Sequence, residues 1–148
     1  YVLVYMLEKT FGYLSPITLV ELSNINTGVL KKLSENCPGT FQHSLQVSIL
    51  ASAAASKIGA NAQLVRTGAM YHDIGKMSNP IYFTENQNGI NPHSSLSFED
   101  SAKVIISHVT EGVKIAEKAS LPKEIIDFIR THHGHGKAKY FYNSYRNK

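Results

Sequence analysis

The sequence predicts an all-α domain, and three observations carry that expectation. Apolar residues recur at three- and four-residue spacing along most of the chain. Capping residues, prolines and glycines stand where those runs start and stop. No stretch shows the apolar–polar alternation of a half-buried strand, and there is no internal repeat or low-complexity tract.

The elements follow in order. "SPITLVELSNIN" opens with Ser15 as N-cap and Pro16 at the first helical position, with Ile17, Val20 and Ile25 at near-helical spacing. "TGVLKKLSEN" gives a second short helix with Val29, Leu30 and Leu33 on one side. "CPG" reads as a turn, after which Thr40 caps the clearest long helix, "TFQHSLQVSILASAAASKIGA". Leu45, Ile49 and the alanines around 53 to 55 form its stripe, its small residues allow close helix approach, and Gly59 ends it. Asn61 caps "AQLVRTGAMYHDIG", whose last turn carries His72 and Asp73.

From Ser78 to Ser95 the helical period breaks in a stretch rich in Asn and Pro, too long for an ordinary connection, which marks a lid or binding loop. Ser97 and Asp100 form a capping box for "FEDSAKVIISHV". A break near Thr110 separates it from "EGVKIAEKA". "LPKEIIDFIRTHHG" starts beside Pro122 and ends at Gly134, and "KAKYFYNSYRNK" forms a last basic, aromatic helix.

Composition bounds the class. A chain of 148 residues suits one domain with a single core. With 43% hydrophobic and 18% charged residues it is globular rather than disordered. Cys37 is the only cysteine, which excludes an intrachain disulfide and a thiolate zinc site and fits a reducing compartment. The net charge of +4 can attract phosphates or an anionic membrane surface, yet the basic residues are scattered and mark no nucleic-acid groove. The opening "YVLVYML" is apolar but far short of the roughly 20 residues of a membrane span, and it lacks the features of a signal peptide. It reads either as a docking segment or as the trailing end of a span.

The chemistry lies in the histidines. His43 sits in the first turn of the long helix, in line with Val47 and Leu50, so its ring is expected to face the core. His72 and Asp73 end the next helix, His108 follows "VIIS", and His132 and His133 end the helix built on Ile125, Ile126 and Ile129. Each alone reads as an ordinary core or surface histidine. Together they are costly to bury unless they share a compensating charge, which a bound metal supplies.

Imidazole and carboxylate without thiolate fit Fe, Mn, Zn, Co or Ni. Six candidate ligands are too many for one tetrahedral zinc and suit two metals about 3.5 to 4 Å apart bridged by a carboxylate. Such a pair clamps a phosphoryl oxygen and activates water as a hydroxide nucleophile. Lys76, after Gly75 frees the backbone, either holds a phosphate as a point charge or is an exposed loop lysine.

In this order, His43, the "HD" of 72 and 73, His108 and the "HH" of 132 and 133 resemble the HD superfamily of metal-dependent phosphohydrolases. The segments "ELSNINTGVLKKLSENCPGTFQHS", "GAMYHDIGKMSNPIYFTENQ", "NPH", "IISHVTEGV" and "LPKEIIDFIRTHHG" resemble the cytosolic HD domain of bacterial seven-transmembrane HD proteins. The resemblance implies an HD-domain helical bundle over residues 15–148, with residues 1–14 as the end of a membrane helix or a juxtamembrane linker. It implies a phosphodiesterase at the cytoplasmic face of the bacterial inner membrane, hydrolysing cyclic di-AMP to linear pApA with a Mn or Fe pair.

The implied roles follow residue by residue. His43, His72 and Asp73 hold the first metal, and Asp73 bridges to a second held by His108, His132 and His133. Asp73 and Lys76 act in catalysis. Lys76, Asn86, Gln87 and Asn91 contact substrate, the tail from Lys139 to Tyr142 flanks the nucleotide, and His93 is not a ligand. The family also takes an aspartate from a helix beyond the double histidine; no acidic residue follows His133 here, so the chain is expected to lack the C-terminal helices. His135, where the family has a small polar residue, is either neutral or a stray ligand. The other readings are a different HD phosphohydrolase such as a nucleotidase, a di-iron oxygenase, or a degenerate nucleotide-binding signalling domain.

Overall fold

The computed structural model describes residues 6, 8, 10, 13–136 and 138–147. Most of the opening apolar segment, read as the end of a membrane helix, lies outside the described residues. These form seven α-helices with no strand: α1 Pro16–Leu22, α2 Gly28–Asn36, α3 Pro38–Lys57, α4 Ala62–Tyr71, α5 Phe98–Lys118, α6 Lys123–Thr131 and α7 Lys139–Arg146. The all-α expectation holds. Among the described residues no helix is long and apolar enough to cross a membrane.

The local signals act as read at most helix ends. The Ser15 hydroxyl accepts from the Thr18 N–H, and the Asn61 side chain accepts from the Leu64 N–H. Ser97 Oγ accepts from the Asp100 N–H at 3.0 Å and donates to the Asp100 carboxylate at 2.7 Å. Each satisfies an N–H that the first helical turn leaves without a partner. Between α4 and α5 the chain runs through four short 3-10 turns, from Ile74–Ser78 to Pro92–Ser95.

Three packing details differ from the expectation. In α1 the core residue is Leu19, 2% exposed, whereas Ile17 and Val20 face outward, and Ile25 lies beyond the end of the helix and is also exposed. This helix of seven residues presents a single turn to the core, which Leu19 fills. α3 starts two residues before Thr40, with Cys37 as its N-cap, so Thr40 lies inside the first turn. The buried face of α3 is Thr40, Ser44, Ser48 and Ala55, whereas Ile49 is 56% and Leu50 72% exposed. α4 packs extensively along α3. A close helix pair admits small side chains at the seam and turns bulky ones outward.

α5 is one unbroken helix of 21 residues through Thr110 and Gly112. The Thr110 hydroxyl donates to the Ser107 carbonyl at 2.8 Å, which accommodates it in mid-helix. Gly112 lies where α5 meets other elements: an added Cβ would stand 2.8 Å from Ile129 Cγ2 and 3.2 Å from the Gly75 nitrogen. The core of Leu19, Leu30, Leu33, Met70, Ile74, Ala116, Ile125 and Ile129 ties the helices into one body. That body brings the end of α4, the middle of α5, the end of α6 and the start of α3 to one place.

Candidate metal centre

Asp73 is the centre of the arrangement. His72 closes α4 in helical conformation, and Asp73 leaves it with φ −109° and ψ 15°, so the two neighbouring side chains diverge and return to one point. Asp73 Oδ2 faces His72 Nε2 at 3.1 Å, Lys76 Nζ at 2.9 Å and His43 Nε2 at 4.0 Å. Asp73 Oδ1 faces His108 Nε2 at 3.4 Å and His132 Nε2 at 3.5 Å. Two donor groups result, both containing Asp73: His43 with His72, and His108 with His132 and His133. Within each, the donor atoms lie within 4.8 Å of one another.

The chemistry of the donors fits divalent metal. His72 Nδ1 lies 2.7 Å from the Ala69 carbonyl, His132 Nδ1 2.8 Å from the Ile129 carbonyl, and His108 Nδ1 contacts the Ile105 carbonyl. A carbonyl only accepts, so each Nδ1 carries the hydrogen, and in the neutral ring each Nε2 presents a lone pair. Yet His108 Nε2 lies 3.2 Å from His132 Nε2 and 3.1 Å from His133 Nε2. The lone pairs of His108 and His132, facing each other at that range, repel unless a cation lies between them. A donor set of nitrogen and oxygen without sulfur suits a first-row divalent metal.

Electrostatics separates the two groups. Burial pushes the Asp73 carboxyl up, but its contacts with His132 and His72 and the Lys76 ammonium outweigh this and hold it well below the usual range. Burial lowers the His72 imidazole, and Asp73 more than reverses that. Burial keeps His108 and His133 below their ordinary value. These two are therefore held in the neutral form that metal ligation requires.

The sequence-predicted ligands all converge, with one correction. The His43 ring is half exposed rather than core-facing, and its side chain reaches Asp73 from the rim. Lys76 is not an exposed loop lysine: its side chain is 14% exposed and its ammonium bonds both Asp73 and, at 2.7 Å, Glu85. Gly75 serves close approach rather than backbone freedom, because a side chain there would collide with the His108 carbonyl. His93 and His135 belong to neither donor group, and His93 Nε2 lies 2.9 Å from the Tyr82 carbonyl.

Beside the metal centre lies a cleft of about 1090 Å³, running from Lys76, Phe83 and Glu85 past Asn91 and His93 to Phe141 on α7. Lys139 and Tyr140 line it and Tyr142 does not. Phe83 is buried, meets His108 edge-on, and lies 4.9 Å below the Lys76 ammonium. Asn86 is turned away from the cleft: its Oδ1 accepts from the Thr40 N–H and its Nδ2 donates to the Thr40 hydroxyl. Gln87 is half-buried, and its Nε2 has no hydrogen-bond partner among the described residues. Sequence reasoning passed over Glu85 and Phe83, for which the spacing gave no signal.

The HD domain family model matches residues 40–147, which spans every one of these ligands. The chain belongs to the HD domain family. Among its HD relatives, the chain is 49% identical over 138 residues to the cyclic-di-AMP phosphodiesterase PgpH of Listeria monocytogenes, covering 93% of this chain and 19% of that protein. It is 45% identical over 142 residues to PgpH of Bacillus subtilis, covering 95% of this chain and 20% of that protein. It thus spans about a fifth of the length of these relatives. The crystal structure of the L. monocytogenes PgpH HD domain superposes with a TM-score of 0.80 at 48% identity, over 83% of this chain and 60% of that one. The same HD domain in complex with cyclic di-AMP gives a TM-score of 0.78, over 81% of this chain and 55% of that one.

Proposed function

We propose that this HD domain is the catalytic part of a metal-dependent phosphodiesterase that hydrolyses cyclic di-AMP to linear pApA. The observation that carries the reading is the pair of donor groups sharing Asp73, with the Lys76 ammonium 2.9 Å from the same carboxylate. The similarity to PgpH supplies the substrate class, and the neighbouring cleft is large enough for a dinucleotide.

In this proposal His43, His72 and Asp73 hold one ion, and Asp73, His108, His132 and His133 hold the other, with Mn or Fe as the ions. Bound there, the pair supplies an activated water and a clamp for the phosphoryl oxygens. The chain's own residues do the rest. The carbonyls of Ala69, Ile105 and Ile129 orient three of the rings. Lys76 donates to a phosphoryl oxygen as charge builds on it, and Phe83 keeps water from that side. Water adds to phosphorus, one P–O3′ ester breaks and O3′ takes up a proton, which leaves a linear dinucleotide with a 5′-phosphate. Asn91 and the start of α7 border the nucleotide, while Asn86 secures the loop and Gln87, which does not line the cleft, follows it. We further propose that residues 15–148 are the HD domain of a longer protein, with residues 1–14 the end of a membrane helix or the juxtamembrane linker from it and the domain on the cytoplasmic side.

The test is a chain extended to the full length of the domain in its PgpH relatives, reconstituted with Mn and offered cyclic di-AMP and cyclic di-GMP. Release of pApA, with much slower turnover of cyclic di-GMP, supports the reading. Equal turnover of the two overturns the substrate, and binding without hydrolysis favours a degenerate signalling domain.

A further inference from the structure

The loop after the "HDIGK" turn is docked on the metal centre by a contact network that none of the expected roles requires. Glu85 Oε1 accepts from Lys76 Nζ at 2.7 Å and from the Thr40 hydroxyl at 3.0 Å. The next residue, Asn86, holds the backbone N–H and the hydroxyl of Thr40 at once. Beneath them, Gly39 lets the Glu85 carbonyl lie against α3, where any side chain would collide with it. Glu85 is thus tied to the first turn of α3 twice, its carboxylate by the Thr40 hydroxyl and its backbone carbonyl by the close approach to Gly39.

An ammonium has three N–H donors. Two of those of Lys76 go to Asp73 and Glu85, and the Phe83 ring closes a further side at 4.9 Å. Among the described residues one donor remains, and its direction is set by the other two. With Asp73 alone the ammonium would be free to turn about a single contact. We infer that Glu85 is a positioning residue that aims the remaining Lys76 donor at the phosphoryl group, and that Thr40 and Gly39 hold Glu85 for this purpose. The inference rests on the reading of Lys76 as the phosphate-facing cation.

A double-mutant cycle tests it on the Mn-loaded, domain-length protein. Lys76→Met is expected to lower kcat about 100-fold, and Glu85→Gln about tenfold with KM changed much less. In the Lys76→Met background, Glu85→Gln should add no further loss, because Glu85 acts through Lys76. A second loss of the same size in that background overturns the proposal. Thr40→Val, which removes one holder of Glu85 without touching Lys76, should give a smaller fall in kcat with two Mn still bound.

A readout independent of hydrolysis separates failure of this inference from failure of the functional reading. Reductive methylation followed by mass spectrometry reports access to the Lys76 amine. In the wild type Lys76 should react slowly, and in Glu85→Gln several-fold faster, with an unchanged unfolding midpoint. Equal labelling of the two proteins overturns the positioning role whether or not cyclic di-AMP is the substrate.

Discussion

Gly75 lies against the backbone of His108, so close that a side chain on Gly75 would collide with the His108 carbonyl oxygen. The two residues belong to the elements that carry opposite sides of the metal centre, the turn bearing Asp73 and the helix α5. Gly112, one turn further along α5, completes the seam, 3.2 Å from the Gly75 nitrogen when given a Cβ. The separation of Asp73 from His108 is therefore set by backbone contact rather than by flexible side chains.

Gly75→Ala tests that statement. Neither backbone can yield without moving a ligand, so the substitution should cost about 3 kcal/mol in urea unfolding, at the upper end for an overpacked site. Mn binding by titration calorimetry should weaken as well. A variant of wild-type stability and affinity would show that the seam is softer than the contact implies.

Cys37 illustrates a group whose chemistry is silenced by its place. It is fully buried as the N-cap of α3, and burial first, then the charge of Glu85, pushes its thiol up to about 11. At pH 8 the folded protein should react with a thiol reagent at least about 100-fold more slowly than the unfolded chain. Thiol counting with and without guanidinium checks this: one cysteine in the denatured protein, none in the native one on the same timescale.

Much of this was legible beforehand, and the limits are physical. The caps at Ser15, Asn61 and Ser97 are local devices, readable from a few residues. The histidines announced themselves because they stand on or at the ends of apolar helices, where polar rings are costly. What could not be read was anything decided by how closely two elements approach. The outward turn of Ile49 and Leu50 depends on α4 lying tight along α3. The continuity of α5 through Gly112 depends on Gly75 and Ile129 occupying the space of its missing side chain. Glu85 and Asn86 sit in a loop with no period, and only the fold brings them to Thr40.

Tyr71 gives a pH dependence with a defined sign. Its hydroxyl donates to the Leu22 carbonyl at 2.8 Å, and burial raises the phenol from 10.0 to about 12. The folded protein thus holds this proton more tightly than the unfolded chain does. The associated stability is fully present below pH 10 and is lost as pH rises toward about 12, by roughly 2 to 3 kcal/mol. Tyr71→Phe should flatten that part of the unfolding curve and lower stability at pH 8 by about 1 kcal/mol, for the lost bond to Leu22. Urea unfolding at pH 8, 10 and 11 for both proteins measures it.

The last prediction uses the asymmetry between His43 and Asp73. His43 belongs to one donor group, comes from the half-exposed rim, and stands 4.0 Å from Asp73 Oδ2. Asp73 belongs to both groups, with one oxygen turned to each, and its side chain is 4% exposed. If the centre is a pair of ions joined by that carboxylate, the two positions cannot fail alike. His43→Ala should release one equivalent and keep the ion among His108, His132 and His133. Asp73→Asn, which keeps the shape but removes the bridging charge, should release both, and it should cost about 3 kcal/mol by taking the buried carboxylate from His72 and leaving Lys76 paired with Glu85 alone. Elemental analysis after Mn reconstitution and desalting reads the counts directly, expected as about two, one and none for wild type, His43→Ala and Asp73→Asn. Thermal unfolding alongside confirms that the variants are folded. Equal metal loss from both variants would mean that Asp73 serves only the His43 side, and the two groups would then have to be treated as separate sites.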